Sequence, residues 1–230
     1  MKKACIIFVL SLLSNYLFAQ DIEIGIKINP NVSFNRITEE VKNGDFEKNG
    51  AKLNFAIGPI VDIHLTPNIC FSTGVFFATK GVKYTASIND DNGEALIRTN
   101  ANVDLQYLQL PVGLKLFTGE IASNTKLYFE LGGLFDAKIA EKYDKESSFS
   151  NESGTYTAEE MDKTFAKFLD VEINLTIGTE IEVGSNKAYF GVNYNRGLVN
   201  VLHNDFKSFS DKKEVKINTD VIGLVLGFKF

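Results

Sequence analysis

The sequence predicts an all-β protein, an eight-stranded antiparallel up-and-down transmembrane β-barrel, on three observations. Apolar and polar residues alternate with period two along most of the chain. The links between the alternating runs are short and long in turn. The final stretch, VIGLVLGFKF, has one bulky apolar face (Ile222, Leu224, Leu226, Phe228, Phe230) and one small face (Val221, Gly223, Val225, Gly227, Lys229). In a strand these faces point opposite ways. A bare apolar strand in water invites aggregation. A closed barrel with lipid outside removes the problem.

The first residues are expected to be a signal peptide over 1–19. Lys2 and Lys3 precede an apolar run from Ala4 to Leu13, and Leu17-Phe18-Ala19 offers a cleavage site. The run is too short for a spanning helix, which needs about 20 apolar residues. The barrel domain is expected over 20–230. It keeps one cysteine, Cys70, so no internal disulfide is expected. The net charge of −5 gives nucleic acid no reason to bind. Nineteen phenylalanines and 18 glycines suit aromatic-rich β-structure. No later run of 18 apolar residues exists, so a membrane must be crossed by strands.

The strands follow in order. Ile22 to Arg36 alternates Ile22, Ile24, Ile26 and Ile28 with Glu23, Gly25, Lys27 and Asn29. Ala51 to Leu65 turns Leu53, Phe55, Ile57, Val61 and Ile63 one way and Asn54, Gly58, Asp62 and His64 the other. Ile69 to Tyr84 offers Phe71, Thr73, Val75 and Phe77 outward. Val103 to Phe117 sets Leu108, Leu110, Val112, Leu114 and Leu116 against Tyr107, Gln109, Gly113 and Lys115. Thr125 to Lys142 sets Leu127, Phe129, Leu131 and Phe135 against Tyr128, Glu130, Gly132 and Asp136. The sixth run is the cleanest. Leu169, Val171, Ile173, Leu175, Ile177 and Ile181 oppose Asp170, Glu172, Asn174, Thr176, Gly178, Glu180 and Glu182. Lys187 to Leu202 opposes Phe190, Val192 and Tyr194 to Tyr189, Gly191, Asn193 and Asn195. The terminal strand is the eighth.

Alternation alone also fits a half-buried sheet in water. Loop lengths decide against it. Thr66-Pro67-Asn68, the stretch around 119–124 and Gly184-Ser185-Asn186 are tight, whereas the links around 37–50, 86–100, 143–163 and 203–216 are long and polar. Short turns on one rim and long loops on the other are the outer-membrane arrangement. Phe71, Phe129, Phe190 and Phe230 then fall near the turn rim, and Phe34, Phe55, Phe135 and Tyr194 toward the loop rim, as two interfacial belts.

YLQLPVGLKLF, from Tyr107 to Phe117, resembles a strand of the PorT-like outer membrane β-barrel domain family, often labelled "porin family protein". DIEIGIKINPNVS near the start and GFKF at the end are similar to the same family. The resemblance implies an exported barrel in the cell outer membrane, with outer-membrane lipid and the barrel-assembly machinery as partners. Phe228 and Phe230 match the aromatic ending that this machinery is thought to read, while Val225 stands where that ending often has Gly. No single activity follows from the family, since fold and function are separable.

An eight-stranded barrel has an interior that side chains fill. Parity sends Glu23, Lys27, Asp62, His64, Lys115, Glu130, Asp136, Lys138, Asp170, Glu172, Glu180, Glu182 and Lys229 inward. Buried charges must be paired or hydrated. A polar network pinned by Lys27, Lys115 and Lys138 is therefore expected rather than an open pore. No catalytic, cofactor-binding or metal residues are assigned, and no cofactor is expected. His64 beside Asp62 lies in the lumen by parity. His203 with Asp205 lacks a serine motif. Asp90-Asp91-Asn92-Gly93-Glu94 lacks EF-hand spacing. The loop from Tyr143 to Asp162, with Phe149 and Tyr156, could contact an envelope or extracellular protein.

The function expected is non-enzymatic: structural, adhesive or accessory to an envelope or secretion complex. Two alternatives stay open. One is a lipid-modifying barrel enzyme using His203 or His64. The other is a soluble lipocalin-like carrier, which would need apolar residues inside and polar ones outside. The bulky face of the terminal strand argues against the carrier.

Overall fold

The computed structural model describes residues 21–38, 44–48, 50–89, 95–151, 154–157, 166–202 and 216–230. The expected signal peptide, the acidic run 90–94 and His203 lie outside these residues. Among the described residues eleven strand segments form one sheet: β1 (Ile22–Thr38), β2 (Gly44–Lys48), β3 (Lys52–Thr66), β4 (Ile69–Gly74), β5 (Phe76–Asn89), β6 (Ala95–Ala122), β7 (Thr125–Asn151), β8 (Gly154–Thr157), β9 (Leu169–Val183), β10 (Asn186–Gly197) and β11 (Lys216–Lys229).

β4 and β5 are one stave of the barrel, interrupted at Val75. The ring then has eight staves in the order β1, β3, β4/β5, β6, β7, β9, β10, β11, and every neighbour is antiparallel. It closes where β11 pairs with β1, from Gly25 opposite Lys229 to Thr38 opposite Lys216. Closure leaves no open edge in the ring. Tight turns at Pro67-Asn68, Ser123-Asn124 and Gly184-Ser185 define one rim. Asn124 (φ 56°) and Gly184 (φ 66°) take the left-handed conformation these turns need.

The alternation sorts as parity predicts. Ile22, Ile24, Ile26 and Ile28 are exposed outside while Glu23, Asn29, Asn31 and Ser33 are buried inside. Leu108, Leu110, Leu114 and Leu116 are exposed, and Tyr107, Gln109 and Lys115 are buried. This is the inverse of a carrier that holds apolar ligands in its barrel. The small face of β11 has a packing reason. A Cβ on Gly227 would lie 2.0 Å from Tyr189 Cζ, so the glycine leaves space that an inward tyrosine fills.

Two expectations are corrected. The links around 86–100 and 143–163 are not simply loops. β5 continues to Asn89, β6 starts at Ala95 and β7 runs to Asn151, with Ile88 opposite Ile97 and Ile97 opposite Phe149. β2 and β8 add to this sheet at either side, and Phe149 pairs in register with Tyr156. Strands that rise beyond lipid need no apolar face, so polarity alone reads them as loops. The seventh stave also ends earlier than expected, at Gly197 rather than Leu202. The chain then turns inward, and Val201 and Leu202 become buried.

Candidate functional site within the barrel lumen

The lumen is filled in layers, and each layer comes from inward positions of several staves. Nearest the turn rim is a dense ionic cluster. Lys229 Nζ reaches Glu23 Oε2 at 2.9 Å, Asp62 Oδ2 at 2.7 Å and Glu180 Oε2 at 2.6 Å. Lys115 Nζ donates to Asp62 Oδ2 at 2.7 Å, and Lys187 pairs with Glu23. Ser72 Oγ donates to Asp62 Oδ1 at 2.6 Å. Lys115 and Lys229 lie over the ring of Tyr189, 5.3 and 5.6 Å from its centroid. Phe117, Tyr128 and Tyr189 complete this level.

The next layer is an amide chain. Asn29 Nδ2 donates to Asn193 Oδ1 (2.7 Å), Asn193 Nδ2 to Asn195 Oδ1 (2.8 Å) and Asn174 Nδ2 to the same oxygen (2.6 Å). Thr176 Oγ1 adds a bond to Asn174 Oδ1 at 3.2 Å. Such a network satisfies polar groups that could not be left unpaired inside.

Above it lies a second ionic cluster of different composition. Lys80 Nζ reaches Asp136 Oδ2 at 2.5 Å, Glu172 Oε1 at 2.6 Å and Asp170 Oδ2 at 3.0 Å. All four side chains are at most 4% exposed. Asp136 and Asp170 are direct cross-strand partners on β7 and β9. Above the ionic cluster lies an apolar layer, in which Val82, Val103, Leu105, Val201, Leu202 and Ile217 form one buried cluster with Ala166. Backbone bonds from Lys167 N to Val201 O and from Val201 N to Ile217 O, both 2.8 Å, hold the inward segments.

The sequence-predicted inward residues mostly meet here, with two corrections. Lys138 does not pin the central network: it stands opposite Tyr107 and pairs with Glu141 (2.5 Å) and the Ala166 carbonyl (2.5 Å), and the β7 bulge that follows it brings Glu141 to the same face. Glu182 pairs near the rim with Lys126 at 3.7 Å, and is 39% exposed. The residues that sequence reasoning missed are Lys80 and Lys187. Their signal was present, since Phe77 outward implies Ala78 and Lys80 inward, and Tyr189 inward implies Lys187 inward.

His64 lies inside as expected, with Nε2 3.2 Å from Glu23 Oε1 but outside hydrogen-bond geometry, and its ring stacked on Phe117. It faces Glu23, whereas Ser72 faces Asp62. The thiol of Cys70, the cross-strand neighbour of His64, donates to the Phe71 carbonyl. These pairings orient no nucleophile against the imidazole.

A family model described as "Outer membrane protein beta-barrel domain" matches residues 18–203. The chain belongs to this family. As an outer-membrane β-barrel protein its place is the outer membrane, and its exposed aliphatic belt is the lipid-facing surface. No curated protein matches the chain in sequence. Among solved structures, neisserial surface protein A is similar at 11% identity over 89% of this chain and 95% of that one, with a TM-score of 0.40. OprG from Pseudomonas aeruginosa is similar at 8% identity over 90% and 96%, with a TM-score of 0.41. Ail of Yersinia pestis, in complex with the heparin analogue sucrose octasulfate, is similar at 13% identity over 89% and 99%, with a TM-score of 0.33. These are distant likenesses and carry no functional argument for this barrel.

Proposed function

We propose that this outer-membrane barrel is a sealed, non-enzymatic scaffold of the PorT-like kind, which presents the sheet above its mouth to an envelope or extracellular protein. The observation that carries the reading is the contrast between its two ends. The lumen is packed with ion pairs, amides and an apolar cap, whereas β5, β6 and β7 continue past the barrel and recruit β2 and β8. A filled eight-stave lumen suits no bulk solute. Strands that continue out of a membrane cost sequence length and serve recognition on a rigid base. His64, the one described imidazole, is stacked on Phe117 with Glu23 at 3.2 Å and its cross-strand neighbour Cys70 bonded elsewhere, which supports the non-enzymatic reading.

The test replaces Thr85–Asn100 with a two-residue turn and leaves the barrel staves intact. The shortened protein should keep its heat-modifiable mobility on gels and lose cross-links to its envelope partner. Both proteins should give no stable conductance in planar bilayers. A general-porin conductance in the unmodified protein would sink the scaffold reading, as would unchanged cross-linking after the hairpin is removed.

A further inference from the structure

The geometry points to a hard divalent cation, of the calcium or magnesium class, bound by Asp136, Asp170 and Glu172 beneath the apolar cap. One oxygen from each of the three carboxylates lies within 4.8 Å of the others. Among the described residues they share a single ammonium, Lys80, so three negative charges meet one positive charge. Asp136 and Asp170 are placed directly opposite each other by the ladder. Like charges in that position repel. Buried carboxylates in such excess need a further positive partner.

Orphaned polar atoms point to where that partner sits. Glu172 Oε2 and Asp136 Oδ1 are buried and meet no donor; Gln109 stands beside Asp136 but outside hydrogen-bond geometry. The independent observation is Tyr107, which is fully buried. Its hydroxyl has no hydrogen-bond partner, and it is in electrostatic contact with Lys80 and all three acids. Its ring centroid is 4.9 Å from Lys80 Nζ. Lys80 takes one oxygen of each carboxylate and Asp170 Oδ1 accepts from Val171 N, which leaves Asp136 Oδ1 and Glu172 Oε2 as the oxygens without a donor for an ion. One divalent ion brings the cluster to neutrality. The donors are all oxygen, which selects hard cations over the softer transition metals.

The test uses the full chain, stripped with a chelator while unfolded and refolded in detergent with and without calcium, because the site is enclosed when the barrel closes. Calcium should bind at one per chain and raise the urea midpoint progressively with its concentration. The chain has no tryptophan, so terbium used as a calcium surrogate should luminesce on tyrosine excitation. Glu172→Gln should weaken binding about tenfold or more. Lys80→Gln keeps all three carboxylates and removes the competing ammonium, so it should bind about tenfold tighter. Absence of saturable binding after refolding in calcium would overturn the proposal, with protons left to neutralise the cluster. Binding unchanged in both variants would also overturn it, since the ion would then sit elsewhere.

Discussion

The two ionic layers of the lumen are built from the same kinds of side chain and reach different balances. Toward the turn rim, Glu23, Asp62, Glu130 and Glu180 stand among Lys27, Lys115, Lys187 and Lys229, four against four. There the ladder places Lys115 opposite Glu130, a cross-strand pair of opposite sign. Toward the mouth, Asp136 faces Asp170, a pair of the same sign, and Lys80 alone serves both and Glu172. The lower layer is a self-sufficient electrostatic lock. The upper layer is incomplete as a set of side chains. A buried ionic cluster is therefore not one kind of object, and its worth depends on whether its charges cancel.

This contrast can be broken at its strongest point first. Lys229→Met removes the cation common to Glu23, Asp62 and Glu180. The three acids would be left with too little positive charge, and stability should fall by about 3–5 kcal/mol. Urea titration in lipid vesicles, read by heat-modifiable gel mobility, measures it; a loss below about 1 kcal/mol would deny that the lower layer is a lock.

A second substitution calibrates the cost of misplaced charge one residue from the lower layer. Leu114 faces lipid while its neighbour Lys115 is inside. Leu114→Arg should cost about 2–4 kcal/mol in the same assay if it sits near the midplane. Tolerance there would undo the assignment of the outer face.

The smallest effect is expected in the upper layer. Glu172→Gln, measured without added divalent cation, relieves like-charge crowding while Lys80 keeps two acids. Its stability should stay within about 1 kcal/mol of the unchanged protein. A loss as large as that of Lys229→Met would mean that the two layers are equivalent.

How far the sequence carries these layers depends on which contacts are local. The exposed isoleucines of β1 and leucines of β6 were legible, because lipid on one side and polar lumen on the other impose strict parity on adjacent residues. Asp170 and Glu172 were legible as inward for the same reason. Their grouping with Asp136 and Lys80 was not, since it depends on the register of staves up to 92 residues apart. The cap was also hidden. Val201 and Leu202 are apolar residues inside a polar lumen, so period-two reasoning assigns them to the wrong environment. The strands above the mouth escaped because their polar faces resemble loops once lipid is gone. The bulge that brings Glu141 to the face of Lys138 is a register slip that alternation cannot reveal.

The bond from Lys229 to Glu23 spans 206 residues of sequence, and its consequence is one of timing. β11 carries the cation and β1, β3 and β9 carry the acids, so Glu23, Asp62 and Glu180 lack it until β11 joins the sheet. In a chain still open at the β1–β11 seam they need water, which favours keeping the nascent sheet hydrated and away from the hydrocarbon interior. Arrival of β11 zips the backbone seam and neutralises the acids in the same event. Contacts of such long range form late and slowly. The charge lock thus acts as a checkpoint on completeness, because a barrel lacking its final stave retains an anionic, water-demanding interior.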